Sequence, residues 1–151
     1  MGLFNLFKKP VKIQDDLFGE MRSMDFKDKS KNYFEGKGYF APTQSKTDLL
    51  IDADIEGPTT AQKEFFIDLQ NNFDQYIQKI KPLIEDEFRN WKDNFEIQDF
   101  NKEFTLVHLT IPRMEVTPLK WEMAFTTIHD ANHHVTIDFT DKEPTGILID
   151  G

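Results

Sequence analysis

From residue 48 to 56 apolar and acidic side chains alternate. Leu49, Ile51, Ala53 and Ile55 fall on one side, and Asp52, Asp54 and Glu56 on the other. A period of two puts each set on its own face of a strand, so this segment predicts a half-buried β-strand. Two earlier runs, 17–24 and 33–40, are bounded by a Lys/Asp/Ser cluster at 27–32 and a Pro/Thr/Gln/Ser break at 42–45. The three together predict an antiparallel meander. Gly57-Pro58-Thr59-Thr60 then stops the third strand and opens a helix, with Thr59 and Gln62 at the spacing of a capping box.

Phe65, Phe66, Leu69, Phe73, Ile77, Ile80, Ile84, Phe88 and Trp91 follow at intervals of mostly three or four, the stripe of an amphipathic helix. Pro82 lacks the N–H that would bond the carbonyl of Gln78. The pattern therefore predicts a helix over about 60–81 and a second, kinked or separate, over about 82–92. The last third returns to strands at 104–111, 121–129, 133–139 and 145–149, with Pro112, Pro118 and Pro144 at their ends or between them.

One register can be argued across the turn Asp130-Ala131-Asn132. Pairing His129 with His134 sets Ile128 against Val135, Thr126 against Ile137 and Ala124 against Phe139, which gathers apolar side chains on one face. The same logic places Ile137 beside Ile147 and Val135 beside Ile149. The opposite face would hold Trp121, Met123, Phe125, His129, His134 and Asp138, too apolar to be left wholly bare. Strands, helix, strands is the order of an α+β fold. The expectation is an antiparallel sheet from both strand groups, packed on a long central amphipathic helix kinked or broken at Pro82. Residues 1–16 are expected to form an amphipathic or flexible segment ahead of a single domain at 17–151.

Composition narrows the chemistry. The chain has 151 residues, no cysteine, 15 phenylalanines and a net charge of −9. Without cysteine there is no thiol catalysis, no disulfide framework and no Cys-ligated zinc or iron–sulfur cluster, which suits a reducing cytoplasm. The acidic balance disfavours nucleic acid and favours basic proteins or cations as partners. No stretch of ~18 apolar residues is present to span a membrane. At the amino end Leu3, Phe4, Leu6 and Phe7 precede Lys8, Lys9 and Lys12, the reverse of a secretory signal. The phenylalanines read as core volume, since each ring buries about 150–250 Å² without a polar atom to satisfy.

Candidate sites are few. His129, Asp130, His133 and His134 are metal-capable side chains within six residues, and the argued register makes His129 and His134 cross-strand neighbours able to share an ion. No third ligand is fixed by spacing, so an inert polar turn competes with that reading. His108, alternating with Phe104 and Leu106, reads as a core or edge residue. The carboxylates group as Asp52, Asp54 and Glu56 on a strand and Glu85, Asp86 and Glu87 on a helix, either solvated faces or docking points for a basic partner. Ser23, Ser30 and Ser45 lie in no nucleophile elbow, and Gly36-Lys37-Gly38 matches no phosphate loop. Those glycines suit a strand that something crosses closely. No cofactor motif occurs, and none is expected to be bound.

Leu17-Phe18-Gly19 before the meander, Gly57-Pro58-Thr59 with Gln62, Trp121-Glu122 and Asp150-Gly151 together resemble a group of small bacterial domains of unknown function, over roughly residues 17–151. The resemblance implies an α+β fold and no assigned activity, so it carries over no catalytic residue. By analogy with similar acidic bacterial domains it implies a partner-binding or immunity-like role. The expected function is thus a non-enzymatic interaction module with an acidic face. The alternative is a metal-dependent hydrolase built on His129, His133 and His134.

Overall fold

A computed structural model of the chain describes residues 10–150. Eight strands form one sheet in sequence order: β1 (Lys12–Asp15), β2 (Gly19–Met24), β3 (Tyr33–Phe40), β4 (Ser45–Asp52), β5 (Phe104–Ile111), β6 (Lys120–Thr127), β7 (Asp130–Thr140) and β8 (Glu143–Asp150). Neighbours are antiparallel except β4 and β5, which run parallel. A parallel pair needs a crossover, and α1 (Thr60–Asn71) and α2 (Phe73–Phe88) supply it, followed by one turn, α3 (Phe100–Glu103).

This overturns the expected α+β arrangement of an antiparallel sheet on a long central helix. The sheet is mixed, it dominates the chain, and the helical segment is two shorter helices plus a turn. The break falls at Asn72, not Pro82. Asn72 leaves helical geometry (φ −113°, ψ 17°), and its Nδ2 donates to the carbonyl and carboxylate of Asp68, both at 2.9 Å. An Asn side chain that competes for backbone groups ends helices readily. Pro82 sits inside α2 on the exposed side, as does Gln78, so water can replace the bond that the proline cannot make.

Between them the helices cover one face of the sheet. Phe66, Leu69, Phe73, Tyr76, Ile80, Ile84 and Phe88 meet Phe34, Phe40, Leu49, Ile51, Leu109, Met123, Val135 and Ile137 in one core. Trp121 stacks on Phe139 at 4.2 Å, with Phe65 and Tyr76 edge-on to it. Trp91, expected to end the helical stripe, is half-exposed beyond α2. Of the amino-terminal segment, residues 1–9 lie outside the described residues, while Lys12–Asp15 forms the first strand, tied to α1 by Asp15 and Lys63 at 2.9 Å.

The β6–β7 register differs from the expected one. Phe125 pairs with Val135, Met123 with Ile137 and Trp121 with Phe139. Relative to pairing His129 with His134 this is a slip of three residues, an odd number, so every β6 side chain changes face. The cause is a tight turn in which Thr127 already pairs with Asp130, and a bulge between Phe125 and Thr127. Trp121, Met123 and Phe125 therefore join the core and Ile128 is left 72% exposed. The next pairing stands as expected: Ile137 lies beside Ile147 and Val135 beside Ile149.

Gly36 and Gly38 face the core side of β3, where β2 folds over them. A Cβ on Gly36 would lie 2.5 Å from the Glu20 carbonyl oxygen, and one on Gly38 would lie 3.0 Å from that of Phe18. Only glycine admits this crossing. It curls the β1–β2 end toward the helices, where Phe18 packs on Phe66.

Candidate functional site

With both main helices on one side, the opposite face of the sheet stays open. Its central side chains are set by the strand pairings: Arg22 opposite Glu35, Glu35 opposite Leu50, Leu50 opposite Thr110, and Glu122 opposite Asp138. One row over, Lys37 faces Asp48 and Asp48 faces His108. His108 reaches this face because a bulge between Leu106 and His108 breaks the strand's alternation. Its Nε2 lies 3.7 Å from Glu122 Oε1.

The face has two characters. Over β1–β4 the charges pair with each other: Lys12 with Glu20, Arg22 with Glu35, Lys37 with Asp48. These flank a broad depression of about 900 Å³. Over β4–β7 a second depression of about 450 Å³ has Leu50 and Thr110 in it and the carboxylates of Asp52, Glu122 and Asp138 around it. Here, among the described residues, no lysine or arginine pairs with the carboxylates, and Glu122 has only the His108 ring beside it. Asp52 and Asp138 make no side-chain hydrogen bond or ion pair among the described residues, and Lys120 gives its Nζ to Thr140 Oγ1 at 2.7 Å. Glu122 and Asp138 stand directly opposite each other, an arrangement of like charges that a sheet resists. Burial pushes the Asp52 carboxyl above the usual carboxylate range, and the positive charge of Arg113 only partly offsets it.

The other sequence-derived candidates are placed elsewhere. β4 ends at Asp52, so the acidic stripe does not continue. Asp54 turns to Arg113 at 3.1 Å and Glu56 is exposed in the loop before α1. Arg113 also donates to the carbonyls of Lys29 and Asn32, clamping three loops at that end of the sheet. Glu85 is buried and accepts the Ile97 N–H at 3.0 Å, Asp86 pairs with Arg89 at 2.9 Å, and Glu87 is half-buried.

The histidines point in separate directions. His129 lies among Phe88, Phe95 and Phe104, with its Nε2 2.7 Å from Glu103 Oε1. Burial would raise the Glu103 pKa, but the Asp99 N–H, His129 and the Gln98 N–H all bond its carboxylate and hold it below the ordinary value. His133 pairs with Asp130 at 2.8 Å, a bond that holds the Asp130 carboxyl low. His134 is exposed opposite Asp150 on β8. Among the described residues no three His, Asp or Glu side chains converge as a metal site. No helix there is long and apolar enough to cross a membrane.

Lys120 and Arg22, both on the open face, were not picked out from the sequence, and Glu122 and Asp138 were noted only within a Trp-Glu motif and on a strand face, not as site residues. The usable signal was the polar pair 120 and 122 against 136, 138 and 140, which marks this face once the β6–β7 register is right. Comparison with protein-family models, with curated proteins and with solved structures yields no match.

Proposed function

We propose that the chain is a non-enzymatic binding module that holds a basic protein partner on the β4–β7 part of its open face. The observation that carries this reading is the set Asp52, Glu122 and Asp138 around one depression, with Glu122 and Asp138 facing each other and, among the described residues, no lysine or arginine bridging them. A lysine or arginine from a partner would relieve that repulsion, and a net charge of −9 would speed the encounter. Asp52 adds a second argument, because burial raises its pKa and a partner cation beside it would favour its charged form. Neutralising a basic toxin is the form of this role suggested by the motif resemblance, and a reducing cytoplasm is the setting suggested by the lack of cysteine.

The test is affinity capture from a native cell extract, with captured proteins identified by mass spectrometry. Wild type is compared with the pair Glu122→Lys/Asp138→Lys and with Glu64→Lys, an exposed reversal on α1 away from the face. The expected result is a captured protein of pI above about 9, lost in the paired variant and at about 0.5 M salt but kept by Glu64→Lys. If capture is the same for the paired variant and for wild type, the reading is wrong.

A further inference from the structure

The two edges of the sheet are built differently. β1 is four residues long, follows Pro10, and carries Lys12 and Asp15. Short, charged edge strands resist pairing with other chains. β8 has eight residues, with no charge between Glu143 and Asp150 and with Ile147, Leu148 and Ile149 in succession. Its only proline, Pro144, lies at the start, and its outer side has no strand neighbour among the described residues. Leu148 is 55% exposed on the open face, while Ile147 and Ile149 are half-buried against the core.

We propose that β8 pairs with β8 of a second copy of this chain, antiparallel, with Leu148 on the two-fold axis. Antiparallel partners directly opposite one another point to the same face. In this register Leu148 meets Leu148 on the open face and Ile147 meets Ile149 twice on the core face. Asp150 then falls opposite Gly146, which has no side chain of its own, and the nearest like charge is Asp138, whose carboxylate lies over Gly146 from β7. Two other registers are worse. Centring on Ile149 sets Leu148 against Asp150, and centring on Gly146 sets Ile149 against Glu143. The chosen register keeps both helical layers on one side and joins the sheets into a single larger one. The segment 146–150 spans only about 17 Å, so the dimer forms and dissociates with concentration. Each copy carries −9, so salt strengthens the association by screening.

Sedimentation equilibrium on the full chain at about 50 and 500 mM salt tests this, with hydrogen exchange at low and high protein concentration. A monomer–dimer equilibrium that tightens with salt is expected, with amides at 146–150 gaining protection on dimerisation and those of β1 gaining none. Leu148→Lys sets two lysines face to face on the axis and is expected to weaken association at least ~10-fold. Should that variant fold poorly, the exchange pattern of the wild type still decides. A monomer under all conditions, a dimer indifferent to Leu148→Lys, or protection arising at β1 would overturn the proposal. Partner capture weakens with salt whereas this dimer strengthens, and Glu122→Lys alone, two strands in from the β8 edge, is expected to leave the dimer in place, so the two readings fail separately.

Discussion

Gln62 is 1% exposed and does more than close a capping box. Its Oε1 accepts the Thr59 N–H at 3.0 Å, while its Nε2 donates to the carbonyls of Asp52 at 2.7 Å and Pro112 at 3.0 Å. Those carbonyls sit at the ends of the parallel strands β4 and β5, so one amide pins both to the start of α1. In Gln62→Leu the buried Pro112 carbonyl is orphaned at about 1–3 kcal/mol, the half-buried Asp52 carbonyl at about 1, and the Thr59 N–H at about 0.5–1. The sum is about 2.5–5 kcal/mol, a large part of the 5–15 kcal/mol typical of a domain. Thr59→Ala removes only the hydroxyl side of the box and should cost about 1 kcal/mol. Urea unfolding of both variants measures the gap, and hydrogen exchange should show faster opening near Asp52 and Ile111 in Gln62→Leu. If the two variants lose equal stability, Gln62 is only a cap and the strand-pinning argument fails.

Gly36→Ala places a Cβ 2.5 Å from the Glu20 carbonyl, a backbone atom that cannot step aside, and should cost about 1–3 kcal/mol in thermal or urea unfolding. Gly146→Ala meets only the end of the Asp138 side chain at 3.2 Å and should be nearly neutral, so equal losses for the two glycines would refute the crossing argument. Glu103→Gln tests the His129 pair. The folded pKa of Glu103 lies below its ordinary 4.5, so its contribution is complete above that pH and is lost as pH falls through the folded value. The variant should be less stable than wild type at neutral pH and converge with it in acid, and parallel melting curves across pH would contradict this. Asp52→Asn runs the other way. Its raised pKa means that ionisation costs stability, so the variant should melt higher at pH 7, with the gain vanishing below the ordinary 3.8, while binding of a basic partner weakens.

Where local chemistry alone sets an element, it was legible in the sequence. The alternation around Leu49 and Ile51 marked β4, and Thr59 with Gln62 marked the start of α1, down to the bonds they exchange. The helix break was misread because a proline announces itself and an asparagine does not. Pro82 loses one bond on a wet surface, whereas Asn72 competes for two groups of Asp68. The parallel β4–β5 contact was out of reach for a different reason. Which strands become neighbours after a crossover depends on how the helices pack, not on either strand's own pattern.

The site was hidden by two irregularities that each shift a strand out of phase. The bulge beside Val107 moves His108 from the core set to the open face, and the one beside Thr126 hides the pairing that puts Glu122 opposite Asp138. Charge patterning along the chain therefore pointed to Asp52, Asp54 and Glu56 and to Glu85, Asp86 and Glu87, of which only Asp52 lines this depression. The fold spends Asp54 on Arg113 and Glu85 on the Ile97 N–H, and leaves Glu56 in a loop. An acidic side chain already satisfied inside the chain has little to offer a partner. Asp52, Glu122 and Asp138 are the reverse case: among the described residues no lysine or arginine bridges them, they line one depression, and burial raises the Asp52 pKa. Carboxylates held in that state store repulsion that an incoming cation releases on contact. That stored repulsion, rather than the total of negative charge, is the physical ground for placing a basic partner on this face.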